Sequence, residues 1–226
     1  MTRRHSARRS APRDDGLSLV EVLVAMGLFG VLGTLLLGLA LSTSQVTEDT
    51  RNLANVTEQS RVAMERMTRE LRQAEEIQAV QFSGSPQATS QAIGVTFWTD
   101  FNGNKVKDLN AADPEVVTYR WKAATSELTL TANDASGTAI TRPVLAVDVT
   151  NFSIGLRSSK WQYDKNADGI TTWQELNQSG HPVGNNNDAL DAPELAHIDL
   201  VSLAMTVSRG SRAQTYSTQV DLRNQD

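Results

Sequence analysis

Hydrophobic positions along this chain follow three rules in turn. From residue 16 to 41 nearly every position is apolar, and Glu21 is the single charged residue of the run. Such a run makes a helix able to cross a bilayer, which takes about 20 apolar residues at ~1.5 Å rise each. From about residue 42 to 80 the apolar positions thin to a stripe. Val46, Leu53, Val56, Ala63, Met67, Leu71 and Ala74 stand three, four and seven apart, the spacing of one helix face. The other face is charged. Glu65 with Arg69, Arg66 with Glu70, and Arg72 with Glu76 are i,i+4 pairs, each worth about 0.2–0.5 kcal/mol. No Pro or Gly interrupts residues 40–81. The two patterns therefore predict one continuous helix of roughly 60 residues, ~90 Å long. Met64 and Met67 on the stripe read as core filler.

The Ser, Gly and Pro of residues 82–86 mark a loop. Beyond it the period becomes strand-like. Runs rich in Val, Ile, Thr and aromatics fall at residues 92–98, 116–122, 127–131, 144–156, 197–208 and 214–222. Val117 to Trp121 followed by Ser126 to Leu130 reads as a hairpin. No internal repeat is present. The expected fold is α+β: a long N-terminal helix, apolar over 17–42 and amphipathic over 43–80, packed on an antiparallel β-sheet head over 81–226.

A basic head precedes the apolar run. Arg3, Arg4, Arg8, Arg9 and Arg13 come before Gly16-Leu-Ser-Leu-Val-Glu21. By the positive-inside tendency this cluster stays in the cytoplasm. An acid inside a membrane segment costs about 2.5–3.5 kcal/mol on insertion scales and calls for a specific partner. These residues resemble the leader and assembly helix of the type IV pilin superfamily. The resemblance implies that residues 1–16 are a leader removed by a prepilin peptidase between Gly16 and Leu17, with methylation of the Leu17 amine. It also implies that Glu21 meets the terminal amine of a neighbouring subunit during assembly. Leu17 stands where the family usually has Phe, and Gly38 where major pilins usually have a helix-breaking Pro. Two plainer readings remain: a signal anchor, or a secretory signal cut near Ala40-Leu-Ser42. Neither explains an acid five residues into the run. Gly27, Gly30 and Gly33 recur every third residue and would let helices approach closely.

Composition narrows the picture. There is no cysteine, so no disulfide holds the loops of the head; many pilins close a C-terminal loop with one. The leader carries five of the 21 Lys+Arg and two of the 26 Asp+Glu, leaving the mature chain at 16 against 24. This acidic balance does not advertise nucleic-acid binding.

The sharpest candidate chemistry lies at residues 164–175, which fit the twelve-residue calcium loop of the EF-hand. Asp164, Asn166 and Asp168 fall at positions 1, 3 and 5, and Gly169 at the sharp turn. Ile170 offers a carbonyl at position 7, Thr172 a hydroxyl or a water bridge at 9, and Glu175 a bidentate carboxylate at 12. The spacing is expected to bring three carboxylates within a few ångströms. The flanks are strand and loop, and Asp-Gly is also a turn signal in its own right. A weaker copy has Asp100, Asn102, Asn104 and Asp108 at positions 1, 3, 5 and 9, with Lys105 in place of the Gly and Ala111 where the Glu belongs. Asp113 or Glu115 is the available substitute. A third polar cluster, Asn185, Asn187, Asp188 and Asp191, reads as a solvated loop, with a share in metal binding as the alternative.

Enzyme readings find little support. There is no Cys nucleophile, and the three His are His5 in the leader, His181 in a Gly/Pro loop and His197 at a strand start. No nucleophile-elbow, zinc-protease or phosphate-loop motif appears. The expected function is structural: a minor pilin or pseudopilin of a type IV pilus-like filament, with the other subunits, the prepilin peptidase and the membrane as partners. The order of hairpins, residues 149–154 and the closing residues 220–224 resemble PilW-type minor pilins and the J-type pseudopilin of type II secretion. Glu21 argues against the subunit at the extreme tip, which often lacks this acid. The chain would sit once through the cytoplasmic membrane, head outside, and then in an extracellular filament. The alternative is a singly anchored, calcium-dependent surface receptor that never assembles.

Overall fold

The computed structural model describes residues 18–109, 114–145, 148–180, 183–209 and 212–222. It divides into two units, residues 1–48 and 49–226. Helix α1 covers Leu19–Arg72, so the apolar run and the stripe form one helix as the pattern predicts. Its N-terminus is capped by Ser18, whose Oγ and carbonyl accept from the Glu21 amide at 3.3 and 3.0 Å.

Within the second unit α1 buries Val56, Ser60, Ala63, Met64, Met67 and Leu71. Met67 and Leu71 are fully buried, and Met64 is nearly so, as expected of core filler. Val46 of the predicted stripe is exposed and Leu53 half-buried. On the outer face Arg66 pairs with Glu70 at 2.7 Å, and Arg61 pairs with Glu58 and Glu65. The expected partner of Arg72, Glu76, instead meets Lys107.

The helix stops eight residues short of its predicted end. Strand β1, Glu76–Phe82, takes the stretch expected to be the last two turns. No breaker residue does this. Gln73 and Ala74 close a tightened last turn on Glu70 and Leu71, and the Glu75 amide then donates to the Trp98 carbonyl at 2.9 Å. From there β1 pairs antiparallel with β2, Ala92–Trp98, Ile77 facing Phe97 and Val80 facing Val95. Tertiary pairing outweighs the weak local helix preference of a stretch that carries Ile77, Val80 and Phe82.

The head strands follow the predicted runs closely. They are β3 (Val116–Lys122), β4 (Glu127–Asn133), β5 (Ala139–Leu145), β6 (Val149–Ser158), β7 (Thr171–Thr172), β8 (Leu200–Arg209) and β9 (Arg212–Asp221). The predicted run 144–156 is two strands, β5 and β6. The β3–β4 hairpin forms in the expected place, with Trp121 opposite Leu128. All pairings are antiparallel, in the order β5-β4-β3-β2-β6-β8-β9, with β1 on β2 and β7 on β6. The join between β2 and β6 is a single register pair, Ala92 with Ile154. It is reinforced by the Gln91 side chain, whose Nε2 donates to Asn151 Oδ1 and the Phe152 carbonyl. The sheet is thus two ladders hinged at one point.

Strand β8 alternates strictly: Val201, Leu203, Met205 and Val207 are buried and their neighbours half-buried. These residues, with Phe97, Tyr119, Leu128, Phe152, Met67 and Leu71, form one core. Tyr119 is fully buried and its hydroxyl donates to Glu70 at 2.6 Å. Burial first, and the Glu70 carboxylate second, hold this phenol well above its ordinary range. Gly94 lies so close to the Tyr119 carbonyl and the Gln81 side chain that a Cβ would collide with both.

Candidate functional site

Two places gather the residues singled out by the sequence. The first is the start of α1. Gly16 and Leu17 lie outside the described residues. Glu21 sits in the first turn of the helix, where the N-terminal end of the dipole favours a carboxylate. From Leu19 to Glu48 every side chain is exposed, and Glu21 is the only charge before Glu48. By length and composition this is a helix able to cross a membrane. A Cβ added at Gly27, Gly30, Gly33 or Gly38 would meet nothing within 4 Å, so these positions form open, shallow places on the helix.

The second place is the set of polar loops on the head. Residues 164–175 follow β6 and a 3-10 turn at Trp161–Tyr163, and lead through β7 into helix α2, Trp173–Asn177. Strand β7 ties the loop to the sheet, Thr172 opposite Arg157. The backbone is left-handed at Ala167 (φ 58) and Gly169 (φ 82), positions 4 and 6 of the loop. Amides then close on side chains in sequence. Asp168 N–H donates to Asn166 Oδ1 (2.8 Å), Ile170 N–H to Asp168 Oδ1 (2.8 Å), and Gly169 N–H to Asp164 Oδ2 (2.8 Å). Glu175 is buried. Its Oε2 accepts from the Thr172 amide and hydroxyl, and its Oε1 from the Lys165 and Asn166 amides. This closes the loop from position 12 back to position 2. Thr172 and Glu175 together form a capping box for α2.

The three carboxylates do not crowd together as the spacing predicts. Each accepts main-chain amides, and among the described residues no three His, Cys, Asp or Glu side chains gather as a metal-holding group. One oxygen is left over. Asp164 Oδ1 is buried and has no hydrogen-bond partner among the described residues. An unpartnered buried carboxylate oxygen is costly, and a cation beside it would remove the cost.

Residues 100–108 repeat this construction. Positive φ falls at Gly103 (73) and Lys105 (56), again positions 4 and 6. Lys105 N–H donates to Asp100 Oδ2 (2.9 Å), Asn104 N–H to Asn102 Oδ1 (2.9 Å) and Val106 N–H to Asn104 Oδ1 (2.7 Å). The side-chain Nδ2 groups of Asn102 and Asn104 both donate to Asp108 Oδ2, at 2.6 and 3.2 Å. Ala111 and Asp113 lie outside the described residues, and Glu115 does the work of position 12. Its Oε1 accepts from the Phe101 amide (3.1 Å) and its Oε2 from the Asp108 amide (3.1 Å). These are the contacts Glu175 makes with Lys165 and Thr172. Glu115 is 1% exposed and also accepts from the Trp98 indole.

Residues 12–37 match the model of the prokaryotic N-terminal methylation motif. The match spans the end of the basic head and most of the apolar run, and supports a type IV pilin-like prepilin with a membrane-anchoring helix. No curated protein and no solved structure matches the chain.

Proposed function

We propose that this chain is a minor subunit, a minor pilin or pseudopilin, of a type IV pilus-like filament. The observation that carries the reading is Glu21. It is a lone carboxylate at the start of an apolar helix with no covering of its own, within residues matching the methylation motif. In the bilayer the lipid covers that helix. In a filament the helices of neighbouring subunits do so, and the new amine of a neighbour pairs with Glu21. The head, at more than 140 residues beyond α1, is large for a repeating subunit and suits a sparse component. The role is structural rather than catalytic.

We further propose that the loop at 164–175 holds Ca²⁺ and that the loop at 100–108, closed by Glu115, is a second and weaker site. Asp164, Asn166, Asp168, the Ile170 carbonyl, Thr172 and Glu175 supply oxygens only, which suits a hard cation. The buried, unpartnered Asp164 Oδ1 supports this donor set. The ion would take the place of the missing disulfides as a clamp on the head.

The test is to shear surface filaments from cells and probe the pellet for this chain. Recovery with the filaments, at a small fraction of the major subunit, is expected. Retention of the whole pool in the membrane fraction of a filament-producing cell would mean an anchored protein that does not assemble.

A further inference from the structure

We infer that residues 183–194 form another calcium site, completed by Asn177 from α2 and Glu194 from helix α3 (Ala192–Leu195). The choice of ion rests on the calcium reading of the 164–175 loop; the site itself rests on its own geometry. Counted back from Glu194 at position 12, Asn185, Asn187, the Ala189 carbonyl and Asp191 fall at positions 3, 5, 7 and 9. The backbone is left-handed at Asn186 (φ 57) and Asp188 (φ 59), again positions 4 and 6. Asn187 N–H donates to Asn185 Oδ1 (3.2 Å) and Ala189 N–H to Asn187 Oδ1 (2.9 Å). The side-chain Nδ2 groups of Asn185 and Asn187 converge on Asp191 Oδ2 at 2.9 and 2.7 Å, as those of Asn102 and Asn104 converge on Asp108. The Asp191 amide donates to Glu194 Oε2 at 2.9 Å, the counterpart of Thr172 to Glu175.

Position 1 is Val183, which has no ligand side chain. Asn177 takes over. Its Oδ1 accepts from the Asn187 amide at 3.4 Å, the contact Asp100 makes with Asn104 at 3.2 Å. Asn177 is 2% exposed, and the loop is pressed onto it. A Cβ at Gly184 would run into the main chain of Leu176 and Asn177.

The pointer to a ligand is Glu194. It is 1% exposed, and its Oε1 is buried with no hydrogen-bond partner among the described residues. In the other two loops the corresponding oxygen accepts main-chain amides, from Lys165 and Asn166 or from Phe101. Here the position 2 amide, Gly184, is spent on the Gly180 carbonyl. The other oxygen of Glu194 is fixed on Asp191 at the loop's rim, so the free oxygen belongs to the same loop. An unpartnered buried carboxylate oxygen is costly, and a cation beside it would remove the cost. A cation bound there would displace the two side-chain amides from Asp191 Oδ2. Oxygen donors with only two carboxylates suit calcium, which tolerates neutral ligands and irregular geometry, better than magnesium. The affinity expected is that of extracellular modules, on the order of 10⁻⁴–10⁻³ M. Because α2 carries both Glu175 and Asn177, this ion and the one at 164–175 hold the same short helix.

The experiment counts calcium bound per chain at saturation, by equilibrium dialysis of the full chain in detergent against radioactive calcium. Glu194→Gln keeps the hydrogen bond to Asp191 and removes the charge. It is expected to bind one ion fewer than wild type, and in chelator to melt no lower, since it removes a buried unpaired charge. Asn187→Asp adds a carboxylate and is expected to tighten this site at least tenfold, which decides the matter should Glu194→Gln fold poorly. If Glu194→Gln binds as many ions as wild type, or Asn187→Asp leaves every affinity unchanged, the inference is wrong. Asp164→Ala separates the two readings. A loss with Asp164→Ala but not with Glu194→Gln keeps the 164–175 site and overturns this one. A loss with Glu194→Gln alone does the reverse, and a wild type that binds no calcium overturns both.

Discussion

From Leu19 to Glu48, α1 has no buried side chain; from Asp49 to Arg72 it buries six. Both stretches are helical, and the first is the more apolar. The difference lies in what each stretch is built to meet. The later half has a narrow apolar stripe matched to the inner face of the sheet, and its charges stay outward as Arg61–Glu58 and Arg66–Glu70 pairs. The earlier half is apolar all round, which suits lipid or several helices at once. One helix thus carries an end stabilised by its own chain and an end that depends on surroundings. Glu21 belongs to the dependent end, and its partner is sought outside the chain.

The largest effect that sharpens this contrast is on assembly. Glu21→Ala is expected to insert into the membrane normally but to enter filaments at least about tenfold less often, since breaking a buried ion pair costs about 3–5 kcal/mol. Normal amounts of the mutant in sheared filaments would remove the pairing from the account.

The next effect is on folding. Leu71→Ala empties a fully buried position in the core and should cost the head about 2–5 kcal/mol. At about 2–4 °C per kcal/mol for a domain of this size, melting falls by roughly 5–15 °C. Leu35→Ala, at a position 61% exposed, should leave the melting of the head unchanged. An equal fall from both changes would break the distinction between the two halves of α1.

A smaller effect concerns the loops. Calcium at ten times its dissociation constant stabilises the fold by about 1.4 kcal/mol per site, a few degrees of melting temperature. Chelator should reverse the gain, and Asp164→Ala should lose a share of it. A head that melts identically in calcium and in chelator would leave the loops as turns only.

Much of this was legible in the chain. The helix, its change of character near residue 42 and the acid at Glu21 follow from periodicity and charge alone. So did the tight turns at 100–108 and 164–175, because their polar side chains bond to the main chain of the same loop and the spacing carries that geometry. The end of α1 was not legible. Residues 76–82 have no breaker before them, and their conversion to β1 depends on an edge of β2 that no local pattern reports. The closing acid of the first loop was open between Asp113 and Glu115. In the 100–108 loop Glu115, four residues past position 12 and immediately before β3, does the closing, an extension that spacing rules do not allow for. The loop at 183–194 reads as solvated because Val183 fills position 1 and the substitute, Asn177, comes from another element. Reading backward from Glu194 would have exposed the register.

The most direct test of the central claim, that the chain is a processed pilin-like subunit, is the intact mass of the mature protein from its native membrane. The account predicts a chain that begins at Leu17 and carries one methyl group on its amine. A mass beginning at Thr43 would mean a secretory signal, and an uncut chain from Met1 would mean a plain anchor. Either would contradict the claim.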